Sequence, residues 1–347
     1  MKKLKQNKMI EILKTFNRCR IHCKEEEFRR FVLEGYHSAK CLEINSYGNE
    51  YRGHVVYRIE AFGRSVGFFA EFLYALMRLH FAADRGFTPY INWGEDFLYY
   101  EAGGIDNEHN AFLYYFEPVS EVTGFDSAAY VLMAEEHHIA DVMNHLNSYG
   151  YTISDEYMTA LSNMTERYIR YNDKTKSFLE NGYRELIGDK KALAVHFRGT
   201  DYRRQYNNHP VFITIEQEIE KVRNIFNEKD YEVIFLATDE QNAVELFRHE
   251  FGEKLKVFED TWRADDGDES VAFSHSNRKN HHYLLGLEVL RDQYMLTRCE
   301  GLVCGISNLT LSARIMRKAW YDKDYEDLVI LDSGLNHNEN RFSNAVH

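Results

Sequence analysis

The chain has 347 residues, 44% of them hydrophobic and 14% aromatic, with 3 prolines, a composition that excludes a disordered protein. Its formal net charge of −13 sets aside nucleic acid as a partner. The length favours about two domains and puts no limit on core size.

The N-terminal stretch MKKLKQNKMIEILKTF is basic and amphipathic, without the apolar core or cleavage site of a secretory signal. It reads as a solvated helix that could at most touch a membrane surface. No run of 18 apolar residues occurs, so no membrane span is expected. The cysteines, Cys19, Cys23, Cys41, Cys299 and Cys304, are odd in number and lack framework spacing, which argues for a reducing, cytoplasmic setting. Cys19 and Cys23, with His22 between them, could form half of a zinc site, but no second pair of ligands follows. Residues 55–61 alternate, with Val55, Tyr57 and Ile59 on one face of a strand. A turn spans Gly63 to Gly67, and an almost wholly apolar helix runs from Phe69 to Ala83, closed by Gly86. A strand is expected at 90–93, then helices and loops to 185, including one helix over 155–182.

The second half alternates strand and helix. Strands are expected at 192–198, 233–237, 255–258, 301–304 and 328–331, with a helix over 281–298. Thr214 to Gln217 is a capping-box pattern, Asp239 is a candidate N-cap, and Ser307 starts a further helix. Such alternation implies a doubly wound parallel sheet. The fold expected is α/β, with two Rossmann-like domains facing a central cleft. They would span residues 1–187 and 188–347.

Ligands of open α/β sheets bind beyond the carboxyl ends of the strands. Three such ends carry polar groups here: His196 and Arg198 before Gly199, Thr238 and Asp239, and Gly305 to Asn308. An arginine fork suits a phosphate, and so does a helix N-terminus. Together they make a diphosphate clamp that needs no metal. Ser307 and Asp239 could each be plain helix caps. Asp292 lies in a largely apolar helix, where Arg291 or Arg298 could neutralise it; alternatively it could accept from a guanine base.

HFRGTDY (196–202) followed by Asn208-His209-Pro210 resembles the first motif of the α-1,6 and protein O-fucosyltransferase superfamily, and the RGTDY…HP pattern of bacterial polysaccharide-locus relatives. GRSVGFFAEFLYAL (63–76) is similar to the glycine turn and helix of that group's N-terminal domain. IFLATDE (234–240) and LRDQYMLTRCEGLVCGISNLTLSARIM (290–316) resemble its later donor motifs. The resemblance implies a GT-B fold and a metal-independent, inverting transfer of fucose from GDP-fucose to a glycan, with no cofactor. It implies that Arg198 grips the β-phosphate, that His196 and Asp292 hold guanine, and that Ser307 and Asn308 touch the phosphates. Gly199, His209, Thr238 and Asp239 belong to the same donor-binding set.

One departure matters. The core α-1,6 transferases carry a glutamate base in the loop after the arginine motif, and here the loop from Tyr202 to Asn208 holds no carboxylate. Glu71 across the cleft is the preferred catalytic base, unless it is a helix-surface carboxylate. Asp201 and a base-free dissociative transfer stay open. The expected function is a fucosyltransferase of surface-polysaccharide assembly. A different nucleotide sugar, or a non-catalytic carbohydrate- or nucleotide-binding protein on the same fold, are the alternatives. Asp265 to Glu269 and the helical face of His138, Asp141 and His145 could hold a cation, but read as a solvated loop and an exposed helix.

Overall fold

The computed structural model describes residues 44–265, 270–321 and 323–341. The N-terminal helix, the Cys19–Cys23 group and four of the five residues of the acidic stretch at 265–269 lie outside the described residues.

In the first unit, β1 (Ile44–Asn45), β2 (Val56–Glu60), β3 (Thr88–Asn92) and β4 (Val131–Met133) form a sheet ordered β1-β4-β2-β3. Strand β2 runs parallel to both β3 and β4, and only β1 is antiparallel. The expected alternation of Val55, Tyr57 and Ile59 is present, yet Val56 is buried too, against Val131 and Val122 on the other face. Strands β1 and β4 escape sequence reading because two and three residues are too few to show a period.

Helix α1 (Phe68–Asp84) is apolar on nearly every side because it lies inside the unit, with helices against it. It ends in a Schellman motif: Gly86, at φ 67°, donates to the Ala83 carbonyl and Phe87 to that of Ala82. Residues 93–130 carry no helix and are held by rings instead. Phe68 makes edge contacts with Phe97, Tyr99 and Tyr115, and Trp93 stacks on Phe97 at 4.5 Å.

Helix α2 (Glu136–His145) follows β4. The single helix expected over 155–182 is two, α3 (Asp155–Tyr168) and α4 (Asp173–Leu186). The break comes from tertiary bonds. The Asn172 side chain donates to the Leu113 and Tyr114 carbonyls at 3.0 Å while its oxygen caps α4 through the Thr175 N–H.

The second unit is a five-stranded, wholly parallel sheet ordered β7-β6-β5-β8-β9. Its strands are β5 (Ala192–Phe197), β6 (Val233–Thr238), β7 (Leu255–Lys256), β8 (Gly301–Gly305) and β9 (Asp327–Leu331). Helices α5 (Ile215–Glu228), α6 (Gln241–Phe251), α7 (His281–Arg298) and α8 (Asn308–Tyr321) connect them. Helices α5 and α6 cover one face of the sheet, α7 and α8 the other. The capping box at Thr214 and Gln217 forms as expected. The α/β architecture with two Rossmann-like units is therefore present.

The cores of the two units are joined. Leu287, Leu290 and Tyr294 of α7, with Ile315 and Met316 of α8, belong to the apolar cluster around α1. Gly286 makes this possible: a Cβ there would sit 2.1 Å from the Tyr115 hydroxyl, which donates to the Tyr283 carbonyl at 3.1 Å. Gly286→Ala is expected to cost about 1–3 kcal/mol through overpacking. A urea titration reads this as a lower midpoint.

Candidate functional site

In the second sheet, β6 and β7 lie on one side of β5, and β8 and β9 on the other. The strand order reverses between β5 and β8, and a ligand crevice is expected just beyond their carboxyl ends. A small cavity there is lined by His196, Arg198, Tyr202, Glu218, Gly305 and Ser307, among others.

Arg198 projects from the end of β5. One terminal nitrogen meets Asp239 Oδ2 at 3.1 Å, and the other donates to Asp201 Oδ1 at 2.6 Å and to Ser270 Oγ at 3.2 Å. Burial opposes its charge, but Asp239 and Asp201 outweigh burial and hold the guanidinium above its ordinary range. The side chain keeps 31% of its surface exposed, and a five-donor fork has donors to spare beyond two ion pairs.

Asp239 does not cap α6, as had been expected; the N-cap position is Glu240, without a side-chain cap bond. The Asp239 carboxylate turns back to the loop after β5. It accepts from the Gly199 N–H at 3.1 Å and from the Thr200 hydroxyl at 2.6 Å, besides pairing with Arg198. Glu240 grips Arg203 with both oxygens, from the far end of the 3-10 turn Thr200–Arg204. Two consecutive carboxylates after β6 thus pin both ends of that turn. At Gly199 a Cβ would meet the end of the Glu240 side chain, so a larger residue there would have to push that carboxylate away from Arg203. Thr238 is buried and its hydroxyl accepts from the Glu240 N–H, so it shapes the same turn.

His196 is buried beside Arg198, and its Nδ1 has no hydrogen-bond partner. Burial, reinforced by the Arg198 charge and opposed by Asp239, lowers its pKa to about 4, so the ring is neutral near pH 7. Ser307 accepts from the Thr310 N–H at 3.2 Å and so caps α8; Asn308 is the first helical residue. Its hydroxyl is committed to the cap, so an anion at this end would meet the free N–H groups of the first turn. His209 lies beyond the turn, near Asp201 and Tyr151, with its pKa lowered by burial.

Asp292 is buried on α7, and burial lifts its pKa to about 7. Arg263, from the loop after β7, is the foremost cation opposing that rise, with Arg291 second. Of the two arginines named from sequence, Arg291 contributes while also holding Asp260 at 2.7 and 3.1 Å, whereas Arg298 donates to the Tyr294 hydroxyl. Arg263 Nε is itself buried without a partner. The loop is tied to the Arg198 turn, because the Ala264 N–H donates to the Asp239 carbonyl at 2.9 Å.

The first unit faces this site. Tyr99 is close enough to Arg198, and Tyr151 to Tyr202 and Asp201, for each to act electrostatically on the other, and the Tyr202 hydroxyl donates to the Ile306 carbonyl at 3.2 Å. Glu71 is fully buried, so it is not a helix-surface carboxylate. One oxygen accepts from the Phe62 N–H at 2.7 Å and the other has no partner. Burial, opposed by that N–H and by Arg78, raises its pKa to about 7. Asp201 stays beside Arg198, its Oδ1 also accepting from the Thr200 hydroxyl.

His196, Arg198, Gly199, Thr238, Asp239 and the Ser307–Asn308 cap therefore meet at adjoining strand ends, Asp292 is reached from them through the loop that carries Arg263 and Ala264, and Glu71 lies on the other unit. Sequence reading missed Arg263, Glu218, Ser270, Tyr99 and Tyr151. Only Glu240, next to Asp239 in the TDE run, carried a local signal. The face of His138 is corrected: His138 is buried, stacked on Phe81 at 4.0 Å, with Nδ1 2.7 Å from the Tyr57 hydroxyl. No cluster of three metal-ligating side chains occurs among the described residues. Among them, too, no helix is long and apolar enough to cross a membrane.

No protein-family model matches the chain, and no curated protein does. Among solved structures it is similar to NodZ α-1,6-fucosyltransferase soaked with GDP-fucose, at 15% identity over 76% of this chain and 92% of that one, with a TM-score of 0.49. It is also similar to fucosyltransferase NodZ from Bradyrhizobium, at 15% identity over 76% and 92%, with a TM-score of 0.46. For POFUT1 in complex with GDP, identity is 11% over 80% and 98%, and the TM-score is 0.43.

Proposed function

We propose that the protein is a GT-B glycosyltransferase that moves fucose from GDP-fucose to a glycan acceptor, without a metal and with inversion, in the assembly of a surface polysaccharide in the cytoplasm. The observation that carries this reading is the placement of Arg198 at the topological switch point. Its fork is pre-aimed there by Asp239 and Asp201 beside the N-terminus of α8. The four ordered motifs support the choice of donor. Residues 188–347 would hold the nucleotide sugar, and the unit before them the acceptor.

In the proposed reaction an acceptor hydroxyl oxygen bonds to the anomeric carbon. The bond from that carbon to the β-phosphate oxygen breaks, its electron pair leaves with GDP, and the hydroxyl proton passes to a carboxylate. Arg198 and the N–H groups at the start of α8 would stabilise charge on the departing diphosphate. Neutral His196 and Asp292 would hold the base, and Glu71 would take the proton.

A donor with another base is the second reading, favoured by Arg263, whose Nε is buried without a partner and whose charge acts on Asp292. Calorimetric titration with GDP, ADP and UDP separates the two. The first reading expects binding of GDP, weakened at least tenfold in Asp292→Asn, with a chelator leaving turnover unchanged. Equal affinity for all three nucleotides, or none for GDP, would count against it.

A further inference from the structure

We propose that Glu218, on the buried face of α5, is a further ligand of the donor: its carboxyl donates a hydrogen bond to one oxygen of the β-phosphate. The proposal rests on the transferase reading and adds a neutral partner to the charged clamp around Arg198.

The helix period makes the residue conspicuous. Ile215, Glu218, Val222 and Ile225 are the buried positions of α5, a single stripe at helical spacing, and a carboxyl stands where an aliphatic side chain would pack. Glu218 is 1% exposed, and its Oε1 has no hydrogen-bond partner. Burial holds the carboxyl well above the usual carboxylate range, and no cation among the described residues offsets it. A buried acid left in this state costs stability, whereas an apolar side chain of the same shape would not. Packing therefore gives no reason for it.

The space that the carboxyl faces does give one. Glu218 lines the cavity of about 20 Å³ at the switch point, together with Phe197, Arg198, Ile213, Gly305 and Ser307. That volume has room for a single oxygen atom with its hydrogens. Gly305, at the end of β8, keeps the space open, since nothing lies within 4 Å of where its Cβ would stand. Phe197 and Ile213 make part of the wall apolar, which strengthens a hydrogen bond formed inside it. Arg198 and the start of α8 border the same cavity, and they are the groups proposed to hold the diphosphate. An anionic oxygen entering between them would meet the Glu218 O–H, a donor that brings no negative charge with it. A carboxylate at this place would repel the phosphate.

Calorimetric titrations of the full chain with GDP and with GMP test this on wild type, Glu218→Met, Glu218→Gln and Gly305→Ala. Glu218→Met should bind GDP at least about tenfold more weakly and GMP as before, because GMP lacks the β-phosphate. Glutamine keeps a neutral donor at the same reach, so Glu218→Gln should retain the wild-type affinity for GDP. In Gly305→Ala the added methyl meets no protein atom, yet it fills the cavity and should weaken GDP as Glu218→Met does. A thermal melt of each variant shows that it is folded. Unchanged GDP affinity in Glu218→Met or Gly305→Ala overturns the assignment and leaves the transferase reading standing. An equal loss for GMP, or a loss in Glu218→Gln as large as in Glu218→Met, does the same. Absence of GDP binding by the wild-type chain overturns the transferase reading, and the assignment falls with it.

Discussion

Arg198→Ala is expected to lower turnover on the order of a hundred- to a thousandfold, the usual cost of removing one preorganised donor from a developing oxyanion. Asp239 and Asp201 aim the guanidinium before any ligand arrives, so no reorganisation is needed at the moment of bond breaking. Arg198→Lys should fail almost as badly. An ammonium keeps the charge but cannot reach Asp239, Asp201 and a phosphate with fixed, divergent donors. Removing the guanidinium also leaves two carboxylates facing each other, so some stability is lost with activity. Steady-state GDP release, GDP affinity and the thermal midpoint, measured together, separate these effects. Unchanged GDP release in a folded Arg198→Ala would remove the mechanism.

Glu71→Gln is expected to lower transfer at least a hundredfold while raising stability above neutral pH. For activity, the carboxylate must be deprotonated to act as base. With its pKa raised to about 7, the wild-type rate climbs with pH through that value and then levels. The variant should lose this limb. For stability, the folded state binds the Glu71 proton more tightly than the unfolded chain, whose pKa is near 4.5. The contribution is therefore most favourable below about pH 4.5, declines as pH rises to about 7, and stays reduced above. Glutamine keeps the acceptor for the Phe62 N–H and removes the charge, so at pH 8 the variant should gain about 2–3 kcal/mol. Asp292, raised to about 7 by burial, adds a loss of the same sign. His196, lowered to about 4, acts oppositely and costs stability as pH falls from 6.5 toward 4. Denaturant titrations at pH 5, 7 and 8 read these slopes. If Asp201→Asn, and not Glu71→Gln, abolishes transfer, Asp201 is the base.

The residues whose roles are local were legible in the sequence. ALAVHF and VIFLAT are continuous apolar runs because both faces of a parallel sheet are covered, and they form β5 and β6 over six residues each. The helix over 281–298 and the capping box at Thr214 follow from periodicity and cap chemistry, which act within a few residues. Arg198 could be singled out because its place at a strand end depends only on the strand before it.

Tertiary structure decided everything that depends on what comes from elsewhere in the chain. Asp239 has the local signature of a helix cap, yet its carboxylate goes to Arg198, Gly199 and Thr200, an ion pair with two hydrogen bonds being worth more than a cap. The helical period across 155–182 carries no sign of its break, which is made by carbonyls of residues 113 and 114. Glu71 has the sequence of a surface glutamate and the pKa of a buried one, because the turn at Phe62 folds over it. The foremost cation acting on Asp292 is Arg263, 29 positions away, with the adjacent Arg291 second. Strand ends and periodicity, set by neighbours in sequence, placed the clamp. Which charges it meets, and which are silenced by burial, was settled only where distant segments pack together.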